Sequence, residues 1–267
     1  MLNPRWKAAV AAVAAACMLS APVARAATVE VDGVPLDHEE GWGHGGTSYV
    51  TLRALSGLGG YELSWDGNRA TLVGEGVELT AIPGAYYIEV NGRALYVAEG
   101  VGVVDGRTYL PLRVIADATG GVLSWDGERA IAGLELDGAE APAADYDEEG
   151  LYWLSRIISA ESRGEELQGQ IAVGNVILNR VAHQNYPETI REVVFDENYG
   201  VQFEPVSNGT VFHEPTELSL LAAKMVLEGA QVVADCLYFY APALSPGTWI
   251  TQNTQYYTTI GCHRFFR

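Results

Sequence analysis

Glu161 falls on a stripe with Leu151, Leu154 and Ile158, residues recurring every three or four positions and therefore sharing one helix face. A carboxylate among apolar neighbours loses hydration. That disfavours its charged form and raises its pKa toward the range in which a general acid works near neutral pH. The same position suits a structural carboxylate satisfied by a partner helix or capping the next one, and spacing alone does not separate the two roles. Asp196, Glu197 and Glu204 are the remaining candidates for a second carboxylate, none compelling by position. A catalytic zinc site takes three protein ligands, usually His-rich, and His183, His213 and His263 carry no paired motif. Structural hydrogen bonding is the expectation for His213 and His263, with no metal and no other cofactor.

Two helices must position Glu161. The first runs from Glu148 and ends at Ser162-Arg163-Gly164; the second carries Leu167, Ile171, Gly174, Leu178 and Val181 on one stripe, with Gly169 allowing close approach. Upstream, residues 137–147 mix small, Pro and acidic residues without periodicity and read as a linker.

Residues 28–136 repeat themselves. Gly46 to Arg53 matches Gly106 to Arg113, and Ser64-Trp65-Asp66-Gly67 matches Ser124-Trp125-Asp126-Gly127, both at a spacing of 60. Val31-Asp32-Gly33 pairs with Val90-Asn91-Gly92 at 59. Asp-Gly and Asn-Gly turns between short alternating apolar runs, followed by one helical stretch, predict that each copy is a small β-rich unit. Trp65 and Trp125 are able to stack on sugars, but a Trp recurring in a repeat reads first as core.

The chain opens with Arg5 and Lys7, an apolar run from Ala8 to Leu19, and Ala24-Arg25-Ala26, the pattern of a secretory signal over residues 1–26. No later segment has the roughly 20 apolar residues of a membrane span. The formal charge is −18, and −21 once Arg5, Lys7 and Arg25 are removed with the leader. Such acidity argues against nucleic acid and anionic lipid as partners. Beyond the leader only Cys236 and Cys262 remain, an even pair in an oxidising compartment and a candidate disulfide if their Cα atoms come within about 7 Å.

Two resemblances complete the reading. Tyr109-Leu110-Pro111-Leu112-Arg113 and the Trp-Asp-Gly elements resemble the copper amine oxidase amino-terminal-like domain over residues 27–136, with Thr51 departing from the pattern where Pro111 stands in the second copy. That resemblance implies a docking or spacer module. With His38 and His44 isolated, copper is not expected there. Ser159 to Glu165, Gly169 to Val173, Val176 to Val181, Gln202 to Val206, Asn208-Gly209-Thr210, Leu237-Tyr238-Phe239, Trp249-Ile250 and Ile260 to Phe266 resemble the cell wall hydrolase family that includes the spore cortex-lytic enzymes, over residues 148–267.

The second resemblance implies an α+β chain, with a β-rich duplicated module followed by a mainly helical lysozyme-like domain. It implies cleavage of the β-1,4 bond between N-acetylmuramic acid and N-acetylglucosamine by a lytic transglycosylase, with Glu161 as the acid. Gln202, Phe203 and Tyr238 are the substrate contacts it suggests, since an amide reads N-acetyl groups and a ring stacks on a pyranose. Tyr240, Tyr256 and Tyr257 are further candidates for the same cleft. Peptidoglycan glycan strands are the expected partner, with the repeats docking on wall or spore surface, and the expected location is extracytoplasmic. An N-acetylmuramoyl-L-alanine amidase or a non-catalytic wall-binding protein are the alternatives.

Overall fold

The computed structural model describes residues 27–267 apart from 59, 75 and 199–201, so the expected leader lies outside the described residues. The first copy of the repeat contains strands β1 (Thr28–Val31), β2 (Val34–Pro35), β3 (Gly41–His44) and β4 (Thr47–Thr51), helix α1 (Leu52–Leu58), and strands β5 (Glu62–Asp66) and β6 (Arg69–Gly74). The second follows with β7 (Val77–Ala81), β8 (Tyr87–Val90), β9 (Arg93–Tyr96), β10 (Gly102–Val104), β11 (Arg107–Pro111), α2 (Leu112–Thr119), β12 (Val122–Asp126) and β13 (Ile131–Glu135). Asp32-Gly33, Asn91-Gly92 and Asp105-Gly106 all have positive φ at both residues, the geometry that makes Asx-Gly turns suit tight hairpins.

The copies are not separate units. β4 and β11 pair antiparallel, with Val50 opposite Leu110, its own counterpart in the other copy, so a pseudo-two-fold axis passes through that pair. β1 runs parallel to β13 at the far end of the module, and β6 pairs with β7 across the boundary between copies. One core containing Val29, Leu52, Leu72, Leu110, Ile115 and Leu134 serves both. Interlocking follows from size: a half of this length buries too little apolar surface to hold itself together.

The tryptophans also depart from expectation. Trp65 and Trp125 lie on β5 and β12, the outermost strands of their sheets, and are 46% and 62% exposed. An edge strand has no neighbour to cover a large side chain that overhangs it.

The carboxyl-terminal domain is built on α3 (Glu148–Ser162) and α4 (Leu167–Val181), the two helices the apolar spacing predicts. The Asp147 side chain accepts a hydrogen bond from the Gly150 amide at 2.8 Å, and Glu148 and Glu149 favour the positive end of the helix dipole. Short helices α5 (Ile190–Val194) and α6 (Glu204–Asn208) precede α7 (Glu217–Leu227). After α7 come β14 (Tyr238–Tyr240), α8 (Thr248–Asn253), β15 (Tyr256–Ile260) and β16 (His263–Phe266), the strands ordered β14-β16-β15. α3, α4 and α7 cross at Gly174, where an added Cβ would stand 2.8 Å from Ile158 Cδ1 and 2.9 Å from Val226 Cγ2. No helix among the described residues is long and apolar enough to cross a membrane.

The two halves are docked. Arg93, buried, donates to Glu228 through Nε (3.0 Å) and Nη2 (2.6 Å) and to the Asp117 carbonyl through Nη1 (2.8 Å). Ala94, Tyr87 and Tyr96 join the hydrophobic core of the helical domain. The segment expected as a linker takes part, because Lys224 lies over the Tyr146 ring at 5.7 Å and the Tyr146 hydroxyl is buried.

Cys236 and Cys262 are free thiols, the first buried and the second exposed. The β14–β16 register explains why they do not pair. Leu237 N bonds the Phe266 carbonyl, whereas Cys262 precedes the opposite end of β16, four residues or about 13 Å away at a strand's rise. A disulfide tolerates about 7 Å between Cα atoms. Of these two thiols, an aromatic disulfide reagent is expected to label only Cys262 in the native protein and both after unfolding; protection of both would indicate a bridge.

Candidate active site

Polar rungs on α4 support the cleft from behind. Asn175 donates to the Ala230 carbonyl (2.6 Å) and accepts from Val232 N (2.8 Å), while Asn179 donates to the carbonyls of Ala234 (2.6 Å) and Cys236 (2.9 Å). Arg180 Nε donates to the Leu237 carbonyl at 2.8 Å. These bonds fix the segment entering β14, and with it the sheet that faces the end of α3.

Glu161 occupies the last turn of α3 and lines two adjoining hollows, of ≈ 340 and ≈ 470 Å³, that share Glu161, Glu204 and Leu244. The first continues along Arg156, Asn208 and His213; the second along Arg180, Gln202, Tyr240, Ser245 and His263. Glu161 is thus the midpoint of one groove with an arm on either side. Burial, and then the negative charge of Glu204, push its carboxyl up to about 7, against a smaller opposing pull from Arg180.

Arg180 lies beneath the groove. It is 5% exposed, its guanidinium is 5.1 Å from the ring centres of both Phe203 and Tyr186, and burial pulls its pKa down against the pull of neighbouring Tyr186, Tyr238, Asp196 and Glu161. Its Nη1 has no hydrogen-bond partner among the described residues. The family motif contains Arg180 without singling it out, yet a signal exists in the sequence: it follows Val173, Val176 and Ile177 at helical spacing, a charge on an apolar face like Glu161.

Glu165 closes the far side. Its Oε2 accepts from Cys262 N at 3.1 Å, its Oε1 lies 3.7 Å from His263 Nδ1, and Gly261 (φ +56°) leaves the space that this carboxylate fills. Glu165 therefore ties the α3–α4 corner to the β15–β16 turn, a positioning role that leaves it off the groove. Burial holds His263 below its ordinary pKa, so a neutral imidazole faces the groove near neutral pH.

The predicted contact residues divide. Gln202 and Phe203 both line the groove, but Phe203 is 3% exposed and packs between Arg180 and Phe239, leaving little ring for a ligand. Tyr238 is outside the lining, its ring 5.7 Å from Trp249, while Tyr240, two residues on, is within it. Tyr256 and Tyr257 are exposed on β15 and absent from both hollows. Asp196 is buried and caps the Asn198 amide; Glu204, at the start of α6, lines both hollows, and Glu214, which accepts from Arg156 Nη2 at 2.6 Å, lines the first. Among the described residues no group of three or more His, Cys, Asp or Glu side chains is arranged to hold a metal ion.

Residues 164–266 match the model of a cell wall hydrolase family, and residues 30–132 that of the copper amine oxidase N-terminal domain. The first match begins at Gly164, just past Glu161. The spore cortex-lytic enzyme of Bacillus cereus is 31% identical over 120 residues, 45% of this chain and 45% of that protein. The spore cortex-lytic enzyme of Bacillus subtilis is 30% identical over 112 residues, 42% of this chain and 35% of its own. The chain thus spans under half the length of the curated relatives it matches. The catalytic domain of the germination-specific lytic transglycosylase SleB from Bacillus anthracis is 28% identical, covering 47% of this chain and 100% of its own, with a TM-score of 0.43. The SleB catalytic domain of Bacillus cereus is 29% identical, covering 46% and 93%, with a TM-score of 0.42.

Proposed function

We propose that this chain is an extracytoplasmic peptidoglycan-cleaving enzyme that breaks the β-1,4 bond between N-acetylmuramic acid and N-acetylglucosamine, as a lytic transglycosylase with Glu161 as its catalytic residue. The observation that carries the reading is a carboxyl whose burial raises its pKa to about 7, midway along a two-armed groove. The chain's likeness to spore cortex-lytic enzymes supports peptidoglycan as the substrate, with spore cortex as one form of it.

Protonated Glu161 gives its proton to the glycosidic oxygen as the C1–O bond breaks, leaving positive charge on the muramic ring. The carboxylate that remains is favoured by Arg180 and accepts the C6 hydroxyl proton while that oxygen closes on C1. Atoms balance without water, the product ends in a 1,6-anhydro ring, and Glu161 is restored to its acid form. Gln202 and Tyr240 supply polar contacts along one arm.

Glu204 favours a second reading, because a hydrolase needs a second carboxylate across the bond and Glu204 lines both hollows. Mass spectrometry of digested walls separates them. Anhydro ends are expected; reducing ends would replace the transglycosylase with a muramidase, and released stem peptides without glycan cuts would overturn both.

A further inference from the structure

Trp125 lines a separate hollow, ≈ 540 Å³, on the amino-terminal module, away from Glu161. The copies share this hollow: Thr47 and Ser48 come from the β3–β4 hairpin of the first, and Arg113, Leu123, Ser124 and Trp125 from the second. The indole is 62% exposed, so one face of the ring is open to a ligand. Trp65, at the same position of the other copy, is 46% exposed, so both copies keep the ring outward.

We propose that this hollow is a glycan-docking site, occupied by a peptidoglycan strand at a distance from the point of cleavage. A pyranose has a C–H face that stacks on an indole and a rim of hydroxyl and amide groups. The hollow offers that combination: an indole and Leu123 for the face, and the hydroxyls of Thr47, Ser48 and Ser124 for the rim. Arg113 supplies a cation in a chain of net charge −18, where Lys and Arg number only 16. A largely uncharged sugar chain fits one guanidinium among hydroxyls, whereas a nucleic acid would meet the repulsion of the whole molecule. The bidentate Arg93–Glu228 contact joins the module that carries the hollow to the domain that carries the groove. The choice of peptidoglycan rests on the cleavage proposed above.

The test uses the full chain in a Glu161→Gln background, so that the ligand survives, and measures co-sedimentation with purified peptidoglycan sacculi. Trp125→Leu keeps apolar bulk without a stacking face and is expected to weaken binding by about fivefold or more; Trp125→Tyr is expected to retain most of it. With Glu161 intact, Trp125→Leu should still cleave short soluble glycan fragments at the parental rate. Binding of Trp125→Leu equal to that of its parent overturns the inference whatever the products of cleavage. Loss of parental binding when stem peptides are stripped from the sacculi also overturns it, assigning the hollow to peptide. If cleavage fails but Trp125-dependent sedimentation persists, the docking site stands and the enzymatic reading falls alone.

Discussion

Glu161→Gln is expected to lower kcat/KM on peptidoglycan by about 10²–10⁴-fold, the range typical of removing a general acid, with sedimentation on walls retained. The wild-type rate should fall as pH rises through about 7, where the carboxyl loses its proton, and the residual activity of the variant should lack that limb. The sign for stability follows from the same shift. Between the ordinary 4.5 and about 7 the folded chain keeps a proton that the unfolded chain has released, so stability declines with rising pH across that window and levels off above it. A neutral amide at this position carries no such cost. The variant should therefore be more stable than wild type at pH 8 by about 1–3 kcal/mol, a figure reduced for the water that reaches the groove. A variant that digests walls at the wild-type rate would remove Glu161 from the mechanism.

Glu228→Ala should have the second largest effect, on the joint between the halves. Arg93 would be left buried with two of its hydrogen bonds lost and its charge uncompensated, which costs about 3–5 kcal/mol when the partner of a buried pair is removed. Calorimetry should show one cooperative transition in the wild type resolving into two, the amino-terminal module separating from the helical domain. Arg93→Met combined with Glu228→Leu removes both charges and should recover most of the loss. If Glu228→Ala melts as the wild type does, the contact contributes little to docking.

The helices around Glu161 were legible because apolar spacing is a local signal that tertiary structure had no reason to override, whereas the Asp147 cap lay in the stretch read as a linker. The turns of the repeat were legible for the same reason, Asx-Gly pairs having few other uses. What escaped depends on contacts distant in sequence. Repeated motifs report a duplication but not which strands pair across it, so the exchange of β1 and β13 and the exposed edges carrying Trp65 and Trp125 were hidden. The cysteines looked bondable as an even pair beyond the leader, and only the strand register puts them at opposite ends. Glu204 had no periodic context to single it out from Asp196 and Glu197; its importance comes from where α6 folds back beside α3.

The parallel pairing of Thr28 with Ile131 has a consequence for biogenesis. β1 is an interior strand, held between β13 and β2, so its main hydrogen-bonding partner is synthesised 103 residues after it. A nascent chain shorter than about 135 residues cannot seat its own first strand, and long-range closures of this kind are slow.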